Sequence, residues 1–103
     1  MCIFCKIINK EIPSDIEYED DICTVFHDIN PKADHHMLLV SKKHIPTIAD
    51  LEDQDGDIVK HLILKARDIA KEKKMSGYKL IFNVGEKGGQ EIFHIHLHLI
   101  GSA

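Results

Sequence analysis

The sequence predicts an α+β domain with a largely antiparallel sheet. Three observations carry that prediction. Short apolar segments follow one another across turns too brief for crossover helices. A single strongly amphipathic segment is long enough for a substantial helix, and it falls late in the chain. The last apolar segment alternates residue by residue between histidine and aliphatic side chains, which is the period of a strand.

The elements follow in order. Residues 3–9 are apolar and cationic and Pro13 stops any helix beyond them, so a short N-terminal helix is expected. Residues 16–19 and 22–27 read as strands around the Asp20-Asp21 turn. Asn30-Pro31-Lys32-Ala33-Asp34 reads as a loop, and residues 37–40 (MLLV) as a short buried strand. Between about Asp55 and Lys74, the residues Ile58, Val59, Leu62, Ala66, Ile69 and Ala70 recur at helical spacing. Acids crowd the start of this helix (Asp53, Asp55, Asp57) and lysines its end, as the helix dipole favours, with Gly77 as the expected stop. Residues 78–83 are then a strand, 84–91 (VGEKGGQE) a glycine-bearing loop, and 93–100 the last strand.

The chain has 103 residues, 44% of them apolar, which suits one domain spanning 1–103 with a modest core. The formal charge is −4 with acids and bases well mixed. That excludes the basic face of a non-specific nucleic-acid binder but leaves room for a nucleotide ligand. No segment approaches the roughly 18 apolar residues of a membrane span. The N-terminus lacks a basic leader and a cleavage site, so a soluble, cytoplasmic protein is expected, with no membrane partner. Three cysteines, Cys2, Cys5 and Cys23, make a poor disulfide framework and fit a reducing compartment.

The final segment reads FHIHLHLIGSA. On a strand, His94, His96 and His98 share one face at ~7 Å intervals, and Ile95, Leu97 and Leu99 share the other. A half-buried strand that merely carries histidine on its polar side is the plain alternative. A pH sensor would need a bistable partner. Three imidazoles on one straight strand are too far apart to reach one ion at ~2 Å. Phosphate chemistry fits best: a neutral imidazole can attack phosphorus while its neighbours bind oxyanions or donate protons. The preceding Gly88-Gly89-Gln90 is expected to bring backbone N–H groups close to a phosphate.

At this point the chain resembles the histidine triad (HIT) superfamily. His94-Ile95-His96-Leu97-His98-Leu99-Ile100 matches its motif of three histidines separated by apolar residues. IFCKIINKEIP, EDDICTVFHDINPKA, HMLLVSKKHI and YKLIFNVGEKGGQ are similar, in that order, to the Hint branch. The resemblance implies a five-stranded antiparallel sheet with one long and one short helix, dimerising into a ten-stranded sheet. It implies hydrolysis of nucleoside 5′-phosphoramidates at the α-phosphate, with AMP-like purine nucleotides as ligands and no organic cofactor. It further implies His96 as the nucleophile of a nucleotidyl-histidine intermediate, His98 as a phosphate hydrogen-bond donor, and His94 and His36 as the remaining histidines of the set. Asn83, Gly89 and Gln90 fall at the phosphate end and Asp28 at the ribose. Ile3, Phe4, Ile7, Phe26, His27, Ile29 and Leu38 fall at the base. Read without the resemblance, those apolar residues are ordinary core and Asp28 a turn acid. Glu91 stands where some relatives have a hydroxyl; it either favours a cationic amine leaving group or points away. Longer relatives carry a C-terminal tail that affects substrate choice, and this sequence ends at Ala103, so leaving-group specificity is not legible in it.

Cys2-Ile3-Phe4-Cys5 is a C-x-x-C outside any βαβ setting, which disfavours a thioredoxin-like role. It is either a pair of small semi-buried residues or half of a zinc site. Some HIT proteins complete such a site with the histidine of KKHI and the first triad histidine. That implies a structural zinc on Cys2, Cys5, His44 and His94. Two other functions remain open: a dinucleoside polyphosphate hydrolase, and a nucleotide-binding regulatory protein with vestigial catalysis.

Overall fold

The computed structural model describes residues 2–102. In chain order its elements are α1 (Ile3–Ile8), β1 (Ile16–Glu19), β2 (Cys23–His27), β3 (His35–Ser41), α2 (Gly56–Glu72), β4 (Gly77–Ile81) and β5 (His96–Ser102). Single 3-10 turns lie at Ile48–Asp50, Asp53–Asp55 and Glu86–Gly88. The five strands form one sheet in the order β1-β2-β3-β5-β4, with every neighbouring pair antiparallel. The architecture is the expected α+β one. No helix among the described residues is long and apolar enough to cross a membrane.

Strand alternation sorts the sheet into two faces. Cys23 and Val25 of β2, Met37 and Leu39 of β3, and Leu97 and Leu99 of β5 pack against Leu62, Ala66, Ile69 and Ala70 of α2. That cluster is the main core. On the opposite face Phe26, Leu38 and Val40 pack under Phe4 and Ile7 of α1. The register pairs Val40 with His96 and Leu38 with His98, so the histidines share the α1 face. α1 is too short to cover that face completely, and the remainder is where a cavity opens. At the far edge, residues 77–80 of β4 are exposed, and Gly101 of β5 lies against that strand. A Cβ on Gly101 would come within 2.6 Å of the Gly77 carbonyl oxygen, so only glycine fits there.

Two boundaries differ from expectation. α2 stops before Gly77: Lys74 takes the left-handed conformation (φ 56°) and the Met75 N–H bonds the Ala70 carbonyl at 2.9 Å. Gly77 instead opens β4. More consequentially, β5 begins at His96 rather than at residue 93. Phe93 and His94 lie in a bend, and the Ile95 N–H is tied to the Ile45 carbonyl at 2.8 Å. His94 is therefore released from the histidine row.

Candidate active site and metal centre

The central strand pair β3–β5 sets His36 and His98 diagonally across from one another. His36 Nε2 and His98 Nδ1 are 3.0 Å apart. The tautomers follow from fixed donors and acceptors. The Lys32 backbone N–H can only donate, and it lies 3.2 Å from His36 Nδ1. His36 Nδ1 must then accept, and its proton sits on Nε2 facing His98 Nδ1. His98 in turn carries its proton on Nε2, available to a ligand oxygen. Asp28 Oδ2, 3.5 Å from His36 Nε2, supports the same arrangement.

His96 is set by a different partner. Its Nδ1 is 2.7 Å from the His94 carbonyl oxygen, which can only accept, so Nδ1 carries the proton and Nε2 keeps a bare lone pair. The Phe4 ring meets the His96 ring edge-on with centroids 5.0 Å apart, and the His98 ring centroid also lies 5.0 Å away. Burial holds the imidazoles of His36, His96 and His98 below the ordinary histidine range, and the neighbouring His96 and His36 help push His98 down to about 4. At neutral pH the site thus presents an imidazole with a free lone pair beside an uncharged N–H donor.

A stability consequence follows from His98. An unfolded histidine titrates near 6.5 and the folded one near 4. As pH falls between these values the unfolded chain binds the proton first, so stability declines across that window and is insensitive to His98 above it. Imidazole resonances followed by NMR should show His98 neutral at pH 6. A midpoint near 6.5 would contradict the burial argument.

These groups line a cavity of about 350 Å³ that gathers Phe4, Asp28, His36, Leu38, Asn83, Gly89, Glu91, His96 and His98. A neighbouring cavity of about 570 Å³ shares Phe4, Asp28, Leu38 and Glu91 and adds Ile3, Ile7, Phe26, His27 and Ile29. Most of the residues singled out in the sequence therefore converge on two joined hollows. Ile29 does so as a rim residue, 90% exposed. One Asp28 oxygen accepts the Asn30 N–H at 2.8 Å and shapes the loop, while the other stays on the histidine side. Asn30, Lys32 and Ile92 also line the first cavity, although the sequence marks the first two only as loop and gives no sign of the third. The available signal was adjacency: Lys32 lies four residues before His36 across a turn.

Three expectations need correction. Gln90 lies outside the cavity lining. Its side-chain oxygen accepts the Gly85 N–H at 2.9 Å, and its amide donates to the carbonyls of Pro46 at 2.7 Å and Ile92 at 3.0 Å, so it staples the loop. The Gly88, Gly89 and Gln90 N–H groups are likewise used inside the loop, on the carbonyls of Gly85 and Glu86. The loop contributes shape instead of donors, with Gly89 at φ +88° where a side chain would be strained. Finally, the His94 ring is not part of the cavity; only its carbonyl reaches His96.

The His94 ring faces a second cluster. Its Nε2 lies 2.6 Å from the Ser41 carbonyl oxygen, so Nδ1 is left unprotonated. That atom is 3.3 Å from Cys2 Sγ, 3.6 Å from Cys5 Sγ and 3.1 Å from His44 Nδ1. Cys5 Sγ is 3.2 Å from His44 Nδ1. Ligands about 2.0–2.3 Å from a tetrahedral ion lie roughly 3.3–3.8 Å from one another. The four donors are close to that spacing, and a backbone carbonyl fixes the tautomer of one of them, as metal-ligating histidines require. The set fits a closed zinc site.

A family profile described as "Scavenger mRNA decapping enzyme C-term binding" matches residues 1–103. The purine nucleoside phosphoramidase of Escherichia coli strain K12 is 45% identical over 101 residues, covering 96% of this chain and 85% of that one. An uncharacterised HIT-like protein of Synechocystis is 43% identical over 100 residues, covering 96% and 88%. The crystal structure of a HIT family hydrolase from Legionella pneumophila superposes with a TM-score of 0.96 at 44% identity, covering 100% of this chain and 94% of that one. A histidine triad protein from Clostridium difficile gives 0.94 at 46% identity, covering 99% and 90%. Matches of this extent, together with the histidine geometry, establish that the chain belongs to the histidine triad family.

Proposed function

We propose that the protein is a purine nucleoside 5′-phosphoramidase that acts at the α-phosphate through a nucleotidyl-His96 intermediate. The observation that carries this reading is the pairing of a bare Nε2 on His96 with an Nε2–H on His98 beside a nucleotide-sized cavity. The name of the Escherichia coli relative supports the substrate class. In the proposed reaction His96 Nε2 attacks phosphorus, the P–N bond breaks, and the leaving nitrogen takes a proton from solvent and departs as the amine. His98 donates to a phosphoryl oxygen as charge develops there. Water then attacks the phosphorus of the adduct, releasing the nucleoside monophosphate and restoring His96. The Asp28 oxygen on the histidine side would accept from the ribose hydroxyls, and the apolar hollow around Ile3, Ile7 and Phe26 would take the purine.

The test compares adenosine 5′-phosphoramidate with diadenosine polyphosphate. Turnover of the first by at least about tenfold over the second is expected, a preference of ~1.4 kcal/mol. The reverse order would make the protein a dinucleoside polyphosphate hydrolase, and turnover of neither would leave a nucleotide-binding regulator.

Zinc on Cys2, Cys5, His44 and His94 belongs to the same reading, as a cross-link between α1 and the sheet that supplies no chemistry. A cytoplasmic location is also part of it, supported by three unpaired thiols. So is a homodimer. The exposed β4 edge carries Tyr78 and Leu80, and pairing two such edges would close them into a ten-stranded sheet. Light scattering at micromolar concentration should give twice the 11.7 kDa chain mass; a stable monomer would remove the dimer from this account.

A further inference from the structure

Cys2 and Cys5 differ from Cys23 in access. Cys23 is fully buried in the main core. Both thiols of the pair are half-buried and their neighbour His44 is exposed, so the cluster has an open side. Cys2 is the N-cap of α1 and Cys5 its third residue. Cys2 Sγ accepts the Cys5 N–H at 3.4 Å, and the two sulfurs lie within 4.8 Å of one another. A reachable sulfur with a second beside it to resolve a sulfenic acid is the arrangement that peroxide oxidises reversibly. In a reducing compartment such a pair rests reduced and forms a disulfide only transiently.

The pair reaches the catalytic cavity by two short paths. One runs through His94. Its ring Nδ1 lies 3.3 Å from Cys2 Sγ and 3.6 Å from Cys5 Sγ, while its own carbonyl oxygen accepts the His96 Nδ1–H at 2.7 Å. The other runs through Phe4, which stands between the two cysteines on α1. Its ring centroid is 6.1 Å from that of His94 and 5.0 Å from that of His96.

We infer that Cys2 and Cys5 are a redox-sensitive modification site: peroxide joins them in a disulfide, which withdraws two of the four zinc ligands and slows the reaction at His96. The inference rests on the zinc and phosphoramidase readings above and adds a control that links them. One sulfur attacks an oxygen of hydrogen peroxide, the O–O bond breaks, and the departing hydroxide takes a proton and leaves as water. The second sulfur attacks the sulfenic acid so formed. The S–S bond forms, the S–O bond breaks, and a second water leaves, so two electrons pass from the sulfur pair to peroxide. Thiolates are metal ligands and disulfide sulfurs are not, so α1 keeps only the packing of Phe4 and Ile7. A helix of six residues held that weakly loosens the Phe4 ring against His96. The His94 ring loses its anchor on the cysteine side, and its carbonyl no longer fixes His96 as firmly. Misplacement of a reacting group is costly, so a loss of about threefold or more in kcat is expected.

The test treats reduced, zinc-loaded protein with a small excess of hydrogen peroxide and follows zinc release with a chromogenic chelator. About one zinc per chain should be released. The denatured chain should be lighter by two hydrogens, with peptide mapping joining Cys2 to Cys5 and leaving Cys23 free. The kcat for adenosine 5′-phosphoramidate should fall at least about threefold, and stripping zinc from the reduced protein with a strong chelator should lower it by the same factor. Dithiothreitol followed by zinc should restore mass, metal and turnover, which oxidised methionine would not allow. Peroxide that leaves zinc bound and both thiols free, a disulfide to Cys23 or between chains, or a kcat indifferent to the disulfide would overturn the inference while leaving both readings standing. Protein without zinc before oxidation would overturn the inference together with the zinc reading. Absence of turnover in the reduced, zinc-loaded protein would overturn the phosphoramidase reading and this control of it.

Discussion

Replacing His96 by alanine is expected to lower turnover of an adenosine phosphoramidate by at least about a thousandfold while changing nucleotide affinity little. The asymmetry comes from the geometry. In the proposed complex binding would draw on Asp28, Leu38, Asn83, His98 and the apolar hollow, all of which line the two cavities, so deleting one imidazole would remove a small share of it. Attack on phosphorus depends on a single lone pair, and no other imidazole in the cavity offers an equivalent one. Nδ1 of His98 faces the His36 N–H and its Nε2 carries a proton, while both His36 nitrogens are engaged. Alanine also leaves a space beside Phe4, so a melting curve should accompany the kinetics to separate misfolding from lost chemistry. A variant that stays folded and keeps turnover within about tenfold, ~1.4 kcal/mol, would show that His96 is not the nucleophile.

Cys5→Ser is expected to abolish zinc binding and lower the melting temperature by about 10 °C or more, corresponding to a couple of kcal/mol in a domain of this size. Cys5 Sγ approaches both histidines of the cluster, so its loss opens a closed set of four. The cost extends beyond the metal. α1 lies over the sheet through Phe4 and Ile7, and a helix of six residues is far too short to persist without anchoring. Untethering α1 would loosen the Phe4 ring against His96 and weaken purine binding as well. A strong chelator should reproduce the effect in the unaltered protein and add nothing in the variant. Protein purified without added metal that contains no zinc, and whose melting temperature ignores the chelator, would contradict the assignment.

The sheet and the long helix were legible because periodicity reports burial directly. Leu62, Ala66, Ile69 and Ala70 recur at helical spacing because each touches the sheet, and Leu97 and Leu99 alternate with histidines because each strand faces two ways. Chain bends were less legible. Strand alternation alone put His94 in the row with His96 and His98, whereas the tie between Ile95 and Ile45 ends the strand early and turns the His94 ring toward the cysteines. That long-range bond leaves no periodic trace. Gln90 illustrates a second limit. The motif Gly-Gly-Gln marks a loop near the site, but whether an amide faces ligand or backbone depends on carbonyls such as Pro46, 44 residues away. The hydrogen-bond chain from Lys32 through His36 to His98 was likewise invisible, since it begins at a backbone N–H. The residue types of the site could be read from sequence; the tautomers that give them distinct roles required coordinates.

The most direct measurement of the central claim is the mass of the intact protein after mixing with excess adenosine phosphoramidate and quenching in alkali, which spares the acid-labile P–N bond of a histidine adduct. The account predicts a transient species heavier by one adenylyl group, localised by peptide mapping to His96 and absent from His96→Ala. Turnover with no adduct at any time, or an adduct on His98 or His36 instead, would contradict it.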